Sequence, residues 1–117
     1  MSNDFRGFEQ AFGREVPYTL KALFDNLELL AGAPLRIVLP GKPFVVEIQY
    51  FLGITDLRAE DLACQRFAFA VNSDGCDMLV DLNGPDLPVL QREAGEVDQL
   101  DFTLAEFLTS AKRSTAG

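Results

Sequence analysis

The chain has 117 residues, 48% of them hydrophobic and 24% charged, a size and balance that fit one folded domain with one core and exclude a chain disordered as a whole. Eighteen acidic residues against ten basic ones give a formal charge of −8, which repels phosphate backbones and anionic lipid surfaces, so neither nucleic acid nor a membrane is expected as a direct ligand. There is no histidine, which removes the commonest general base, the commonest metal ligand and every Ser-His or Cys-His nucleophile arrangement.

The opening MSNDFRGFEQ lacks the basic start and apolar run of a secretory signal, and no stretch is long enough to cross a bilayer, so the cytoplasm is the expected compartment. Cys64 and Cys76 are too few for a disulfide framework and read as free thiols. Phe5, Phe8 and Phe12 then recur at helical spacing before Gly13, which suits the left-handed residue past a helix end. A second helix starts at Pro17, with Leu20, Leu23, Phe24, Leu27 and Leu30 on its buried face and Gly32 with Pro34 as its stop.

From Leu35 the period changes to two. Leu35, Ile37 and Leu39 mark one strand, PGKP turns, and Phe44, Val46, Ile48 and Tyr50 mark the next, with Glu47 and Gln49 facing away. A short helical or irregular piece is expected around Leu57 to Cys64. The stretch RFAFAVNSDGCDMLVDL predicts two more strands: Phe67, Phe69 and Val71 alternate on one side of Asp74-Gly75, and Cys76, Met78, Val80 and Leu82 alternate on the other. Asp-Gly tolerates the positive φ angles of a two-residue hairpin loop, which is the expected connection here.

Beyond the turn formers Asn83 to Asp86, the run Pro88 to Gln91 predicts a short strand near a sheet edge, and Gly95 a turn before a brief strand at about Val97 to Leu100. The closing helix is the most fully specified element. Thr103 and Glu106 form a capping box, Phe102 and Phe107 occupy the hydrophobic-staple positions, and Leu104, Phe107, Leu108 and Ala111 share a face. Lys112 and Arg113 suit the negative end of the helix dipole, and residues 114–117 read as a disordered tail. Together these elements predict an α+β domain spanning residues 1–117, a mainly antiparallel sheet of about five or six strands packed with N-terminal and C-terminal helices.

The chemistry-bearing motifs are sparse. No GxGxxG, GxxxxGK[ST], CxxC or GxSxG pattern is present. Asn72, Asp74, Asp77, Asp81, Asn83 and Asp86 form the densest oxygen cluster, but their spacing is not that of an EF-hand loop, and such residues at turns ordinarily bond local backbone. No catalytic residue, cofactor or metal site is assigned, and the chain is not expected to be an enzyme.

Taken in order, the segments resemble the SUKH superfamily, also described as the Smi/Knr cell-wall assembly regulator family, which includes many bacterial immunity proteins. FEQAFGREVPYTLKALF is similar to the family's opening helix, break, apolar-Pro step and second helix, and YFLGITDL to its aromatic-Gly segment. RFAFAVNSDGCDMLVDL, then Pro88-Val89, then LDFTLAEFL resemble its strand, Asp-Gly turn, strand, Pro-Val strand and closing helix. DNLELLAGAP stands where the family usually has an Asn-Gly-Gly element.

The resemblance implies a single SUKH-like domain that binds other proteins without catalysing a reaction. The expected partner is a bacterial toxin domain, often a basic nuclease, which this acidic chain would neutralise; the alternative is a regulatory scaffold recruiting cellular proteins. Homo-oligomerisation is left open. Alternation sends Glu47, Asp77 and Asp81 to the side opposite the core, where they would meet a basic partner with Tyr50 and Phe51 as aromatic anchors.

Overall fold

The computed structural model describes residues 5–26, 35–39, 41, 45–52, 57–84 and 86–116. The expected positions of Leu27, Leu30, Gly32, Pro34 and Phe44, and PGKP apart from Gly41, lie outside the described residues, as do the side chains of Lys112 and Arg113. In chain order the elements are α1 (Arg6–Phe12), α2 (Tyr18–Asp25), β1 (Leu35–Val38), β2 (Val45–Phe51), α3 (Ala59–Cys64), β3 (Arg66–Asn72), β4 (Asp77–Asp81), β5 (Pro88–Glu93), β6 (Glu96–Thr103) and α4 (Leu104–Ala116). The strands form one antiparallel sheet in the order β1-β2-β3-β4-β5-β6, a meander in an α+β domain.

One face of this sheet, the inner one, is covered by α1, α2 and α4. Phe67, fully buried, meets Phe8, Phe12 and Phe24 with ring centroids 5.5, 6.3 and 5.9 Å away, and Phe69 meets Phe107 at 5.4 Å, all edge-on. Tilted and edge-on pairs of this kind add to the burial of the rings, which is how two short helices with little intrinsic stability are held. Gly13 ends α1 in the left-handed conformation, φ 69°, as its position predicts.

Two β-bulges change which side chains reach that core. In β3 the register shifts between Ala68 and Ala70, so Phe67, Phe69 and Ala70 are buried inward while Val71 turns to the opposite, outer face. In β2 the shift lies between Ile48 and Tyr50, and Tyr50 leaves the alternating inward set of Val46 and Ile48. The strict alternation expected for Val71 and Tyr50 is therefore corrected at both positions, because one extra residue on one strand of a pair inverts every side chain beyond it.

The Asp-Gly turn also differs from expectation. Gly75 N–H donates to the Asn72 carbonyl at 3.0 Å, Asn72 N–H donates to the Cys76 carbonyl at 2.9 Å, and Gly75 alone has a positive φ, 81°. The loop thus runs over Ser73–Cys76, and Asn72 organises it: its Oδ1 accepts the Asp74 and Cys76 N–H groups at 3.0 and 2.9 Å. The two-residue loop sits instead at Ala94-Gly95, where both φ values are positive (52° and 86°) between the paired Glu93 and Glu96.

The segment from Pro88 is an interior strand, flanked by β4 and β6, and not an edge. Pro88 stands at its first residue, where a missing N–H does least harm to the ladder. The brief strand expected near Val97 is the eight-residue β6, which runs straight into α4. There the capping box is formed: Glu106 N–H donates to Thr103 Oγ1 at 3.3 Å and Thr103 N–H donates to Glu106 Oε1 at 3.1 Å. The helix continues through Ala116, past the Ser114 at which a tail was expected, since no glycine or proline intervenes before Gly117.

Candidate functional site

The outer face of the sheet carries most of the polar chemistry. Cα partners Tyr50, Val71, Asp77, Arg92 and Val97 form one row across β2 to β6, and Ala68, Leu79, Leu90 and Gln99 form another on the same face. The first bulge aligns the former row, since without it Val71 would stand on the inner side. Over this face lies α3, anchored by a cluster of charges.

Asp61 of α3 is 3% exposed and Arg92 of β5 is 7% exposed, which makes both exceptional among charged residues. Arg92 Nη1 donates to Asp61 Oδ1 at 2.7 Å, and Arg66 Nε donates to the same oxygen at 2.8 Å. On its other side Arg92 donates to Asp77 Oδ2 through Nη2 at 2.6 Å and Nε at 3.1 Å. Arg58 and Glu60 complete the group more loosely, at 3.6 Å from Asp77 and 3.5 Å from Arg92. Three arginines thus face three carboxylates, and no buried side-chain polar atom lacks a partner among the described residues.

Burial acts to lower the pKa of the Arg92 guanidinium, but hydrogen bonds to Asp61 and Asp77, together with their charges, outweigh it and hold the group above its ordinary value. A base raised in this way contributes stability at every pH below its unfolded pKa and loses it only as pH climbs through the folded one, so Arg92 stays charged throughout the range in which proteins remain folded. The cluster therefore fastens α3 to the sheet through a guanidinium that stays charged.

Beside it is a hollow of about 690 Å³, walled by Tyr50, Leu52, Leu57 and Val71 with Arg58, Asp77 and Arg92 on its polar side. Tyr50 is half exposed there. An apolar wall with a few fixed polar groups suits a side chain or a short segment of another molecule. A second hollow, about 530 Å³, opens at the end of the inner face over Met78, Leu100 and Gln91; Asn72 Nδ2 donates to Gln91 Oε1 at 3.2 Å at its edge.

Of the residues singled out in the sequence, Glu47, Tyr50, Asp77 and Asp81 occupy the outer side, whereas Phe51 turns inward against the core. The three carboxylates have different surroundings. Glu47 is exposed, Asp77 is engaged by Arg92, and Asp81 Oδ1 accepts the Asn83 N–H at 2.9 Å. Within the oxygen cluster Asn72 Oδ1 caps its own turn, whereas Asn83 Oδ1 accepts from Arg14, 69 residues away in sequence, at 3.1 Å.

Sequence reading missed Asp61, Arg66 and Arg92. Arg66 and Asp61 are close in sequence, but 31 residues separate Asp61 from Arg92, and only the meander brings them together. The available signal was the strand parity of Gln91-Arg92, which sets Arg92 on the same face as Asp77 once β4 and β5 are paired.

The two cysteines are free, Cys64 exposed and Cys76 buried. Burial, and then the charges of Glu93, Asp74 and Asp77, push the Cys76 thiol above its usual pKa, so it stays protonated. At about pH 8 a thiol reagent is expected to label Cys64 quickly and Cys76 only after denaturant is added. Equal, rapid labelling of both, read by mass spectrometry, would mean that the Asn72–Cys76 turn opens in the native state.

Among the described residues no helix is long and apolar enough to cross a membrane. No family model, curated protein or solved structure matches the chain.

Proposed function

We propose that this chain is a non-enzymatic protein-binding domain of the immunity type, a SUKH-like domain that neutralises a basic toxin domain by occupying its surface. The observation that carries this reading is Tyr50, half exposed at the apolar wall of the outer hollow, beside a rigid ion-paired cluster and with the exposed Glu47 on the same strand. An aromatic anchor in a pocket with charge at the rim is the arrangement that concentrates binding energy at protein interfaces. Because Asp77 is committed to Arg92, the partner's cations would meet Glu47 first. The net charge of −8 favours a basic partner by steering.

The test is to look for a toxin domain encoded beside the gene and to co-express the two, with growth rescue and affinity as readouts. Rescue is expected, Tyr50→Ala should weaken binding about 30-fold, and Glu47→Lys should slow association chiefly at low salt. Absence of any such neighbour, with host proteins co-purifying instead, would replace the immunity reading with recruitment of cellular partners. Full affinity in Tyr50→Ala would move the interface off this hollow.

A further inference from the structure

We propose that the second hollow, at the end of the inner face, receives an arginine side chain of a partner protein. Its volume is about 530 Å³, and its wall is more polar than apolar. The floor is aliphatic, with Val46 of β2, Met78 of β4 and Leu100 of β6. Glu47, Ser73 and Asp74 stand on the side where β2 passes the β3–β4 turn. There the Ser73 N–H donates to the Glu47 carbonyl at 3.0 Å, so the two residues that carry carboxylates belong to one tied rim.

These two acids differ from those of the outer cluster, where Asp61 and Asp77 are ion-paired with Arg92. Glu47 and Asp74 are exposed, and among the described residues neither carboxylate has an ion pair or a hydrogen bond. The wall beside them is fixed in advance. Asn72, 8% exposed, holds the turn through Oδ1, while its Nδ2 donates to Gln91 Oε1 at 3.2 Å and to Met78 Sδ at 3.8 Å. One buried amide thus ties the turn that carries Asp74 to the floor and to β5, and a site built before its ligand arrives loses least on binding.

A cation on a methylene stem matches this arrangement, with the stem along Leu100 and Met78 and the head among Glu47, Asp74 and the Ser73 hydroxyl. Arginine fits better than lysine. Its planar fork of five donors can serve two carboxylates and a hydroxyl together, and a guanidinium is more weakly hydrated than an ammonium. The source is a protein chain and not a free cation, because the hollow continues into an apolar shelf: Val45, 40% exposed, lines it, and its Cα partner Val38 is 60% exposed. A residue next to the arginine in its own chain would cover that shelf.

The inference rests on the protein-binding reading only for the existence of a partner, and the hollow does not include Tyr50. The chain has two methionines, Met1 and Met78, so an isotope label on the methionine methyl groups puts a reporter in the floor for magnetic resonance. The probe is arginine blocked as its N-acetyl N-methylamide, with blocked citrulline, the uncharged isostere, as control. Blocked arginine should shift the Met78 methyl saturably, and blocked citrulline should bind about tenfold less tightly. The Glu47→Gln, Asp74→Asn double variant should also bind blocked arginine about tenfold less tightly, with circular dichroism unchanged because Asn-Gly makes the same kind of turn. Tyr50→Ala should leave the titration unaltered, so failure of the outer hollow as an interface and failure of this one are read separately. Equal binding of blocked citrulline, or no saturable shift at Met78, would overturn the proposal. So would tighter binding of free butylguanidine than of blocked arginine, which would assign the hollow to a small cation.

Discussion

Arg92→Leu is expected to destabilise the fold by about 3–5 kcal/mol, because it strands the Asp61 and Asp77 carboxylates in places built around a guanidinium. Asp61 would retain Arg66 at 2.8 Å, so most of the loss should arise at Asp77 and in the hold of α3 on the outer face. Chemical denaturation measures it. The informative comparison is the double variant Asp61→Leu, Arg92→Leu: replacing a buried ion pair by apolar groups of similar volume is often neutral, whereas removing one partner is not. If the double variant is more stable than Arg92→Leu alone, the cluster's contribution is mutual compensation of buried charge. Strictly additive losses would instead mean that the two side chains act independently, against their shared 2.7 Å contact.

The contrast between what could and could not be read from the chain follows from how far each determinant reaches. Gly13, the capping box at Thr103 and Glu106, and the buried stripe of α4 are local, fixed within a turn or two of helix, and each is found where the residue pattern sets it. Strand existence was equally legible, since strands stand at 35–38, 45–51, 66–72 and 77–81, where the residue pattern predicts them. The bulges were not. Nothing in Gln49-Tyr50 or Phe69-Ala70 marks an extra residue, yet each one decides whether Tyr50 and Val71 join the core or the outer face. The candidate site depends on these two inversions and on the long-range meeting of α3 with β5, so its aromatic and charged members were named in part while their arrangement was not. In the same way Asp-Gly correctly marked a reversal, but Asn72 chose the longer loop by capping it with its own side chain.

Phe107→Ala is expected to cost about 3–5 kcal/mol and Thr103→Ala about 1 kcal/mol, and the order of the two is the test of how α4 is held. Phe107 is fully buried, edge-on to Phe69 at 5.4 Å and stacked with Phe102 at 6.5 Å, so its loss removes the contact that joins the last helix to the middle of the sheet and leaves a cavity between them. Phe102 and Phe107 also bracket the helix start, fixing the angle at which β6 passes into α4. Thr103 contributes one cap: its Oγ1 accepts the Glu106 N–H at 3.3 Å in a partly exposed place where water can substitute. Denaturation of the two variants under the same conditions separates the cases. A larger loss for Thr103→Ala would mean that the cap, and not the aromatic clamp, secures α4 to the sheet, and the packing of the helix over Phe69 would have to be looser than its fully buried rings imply.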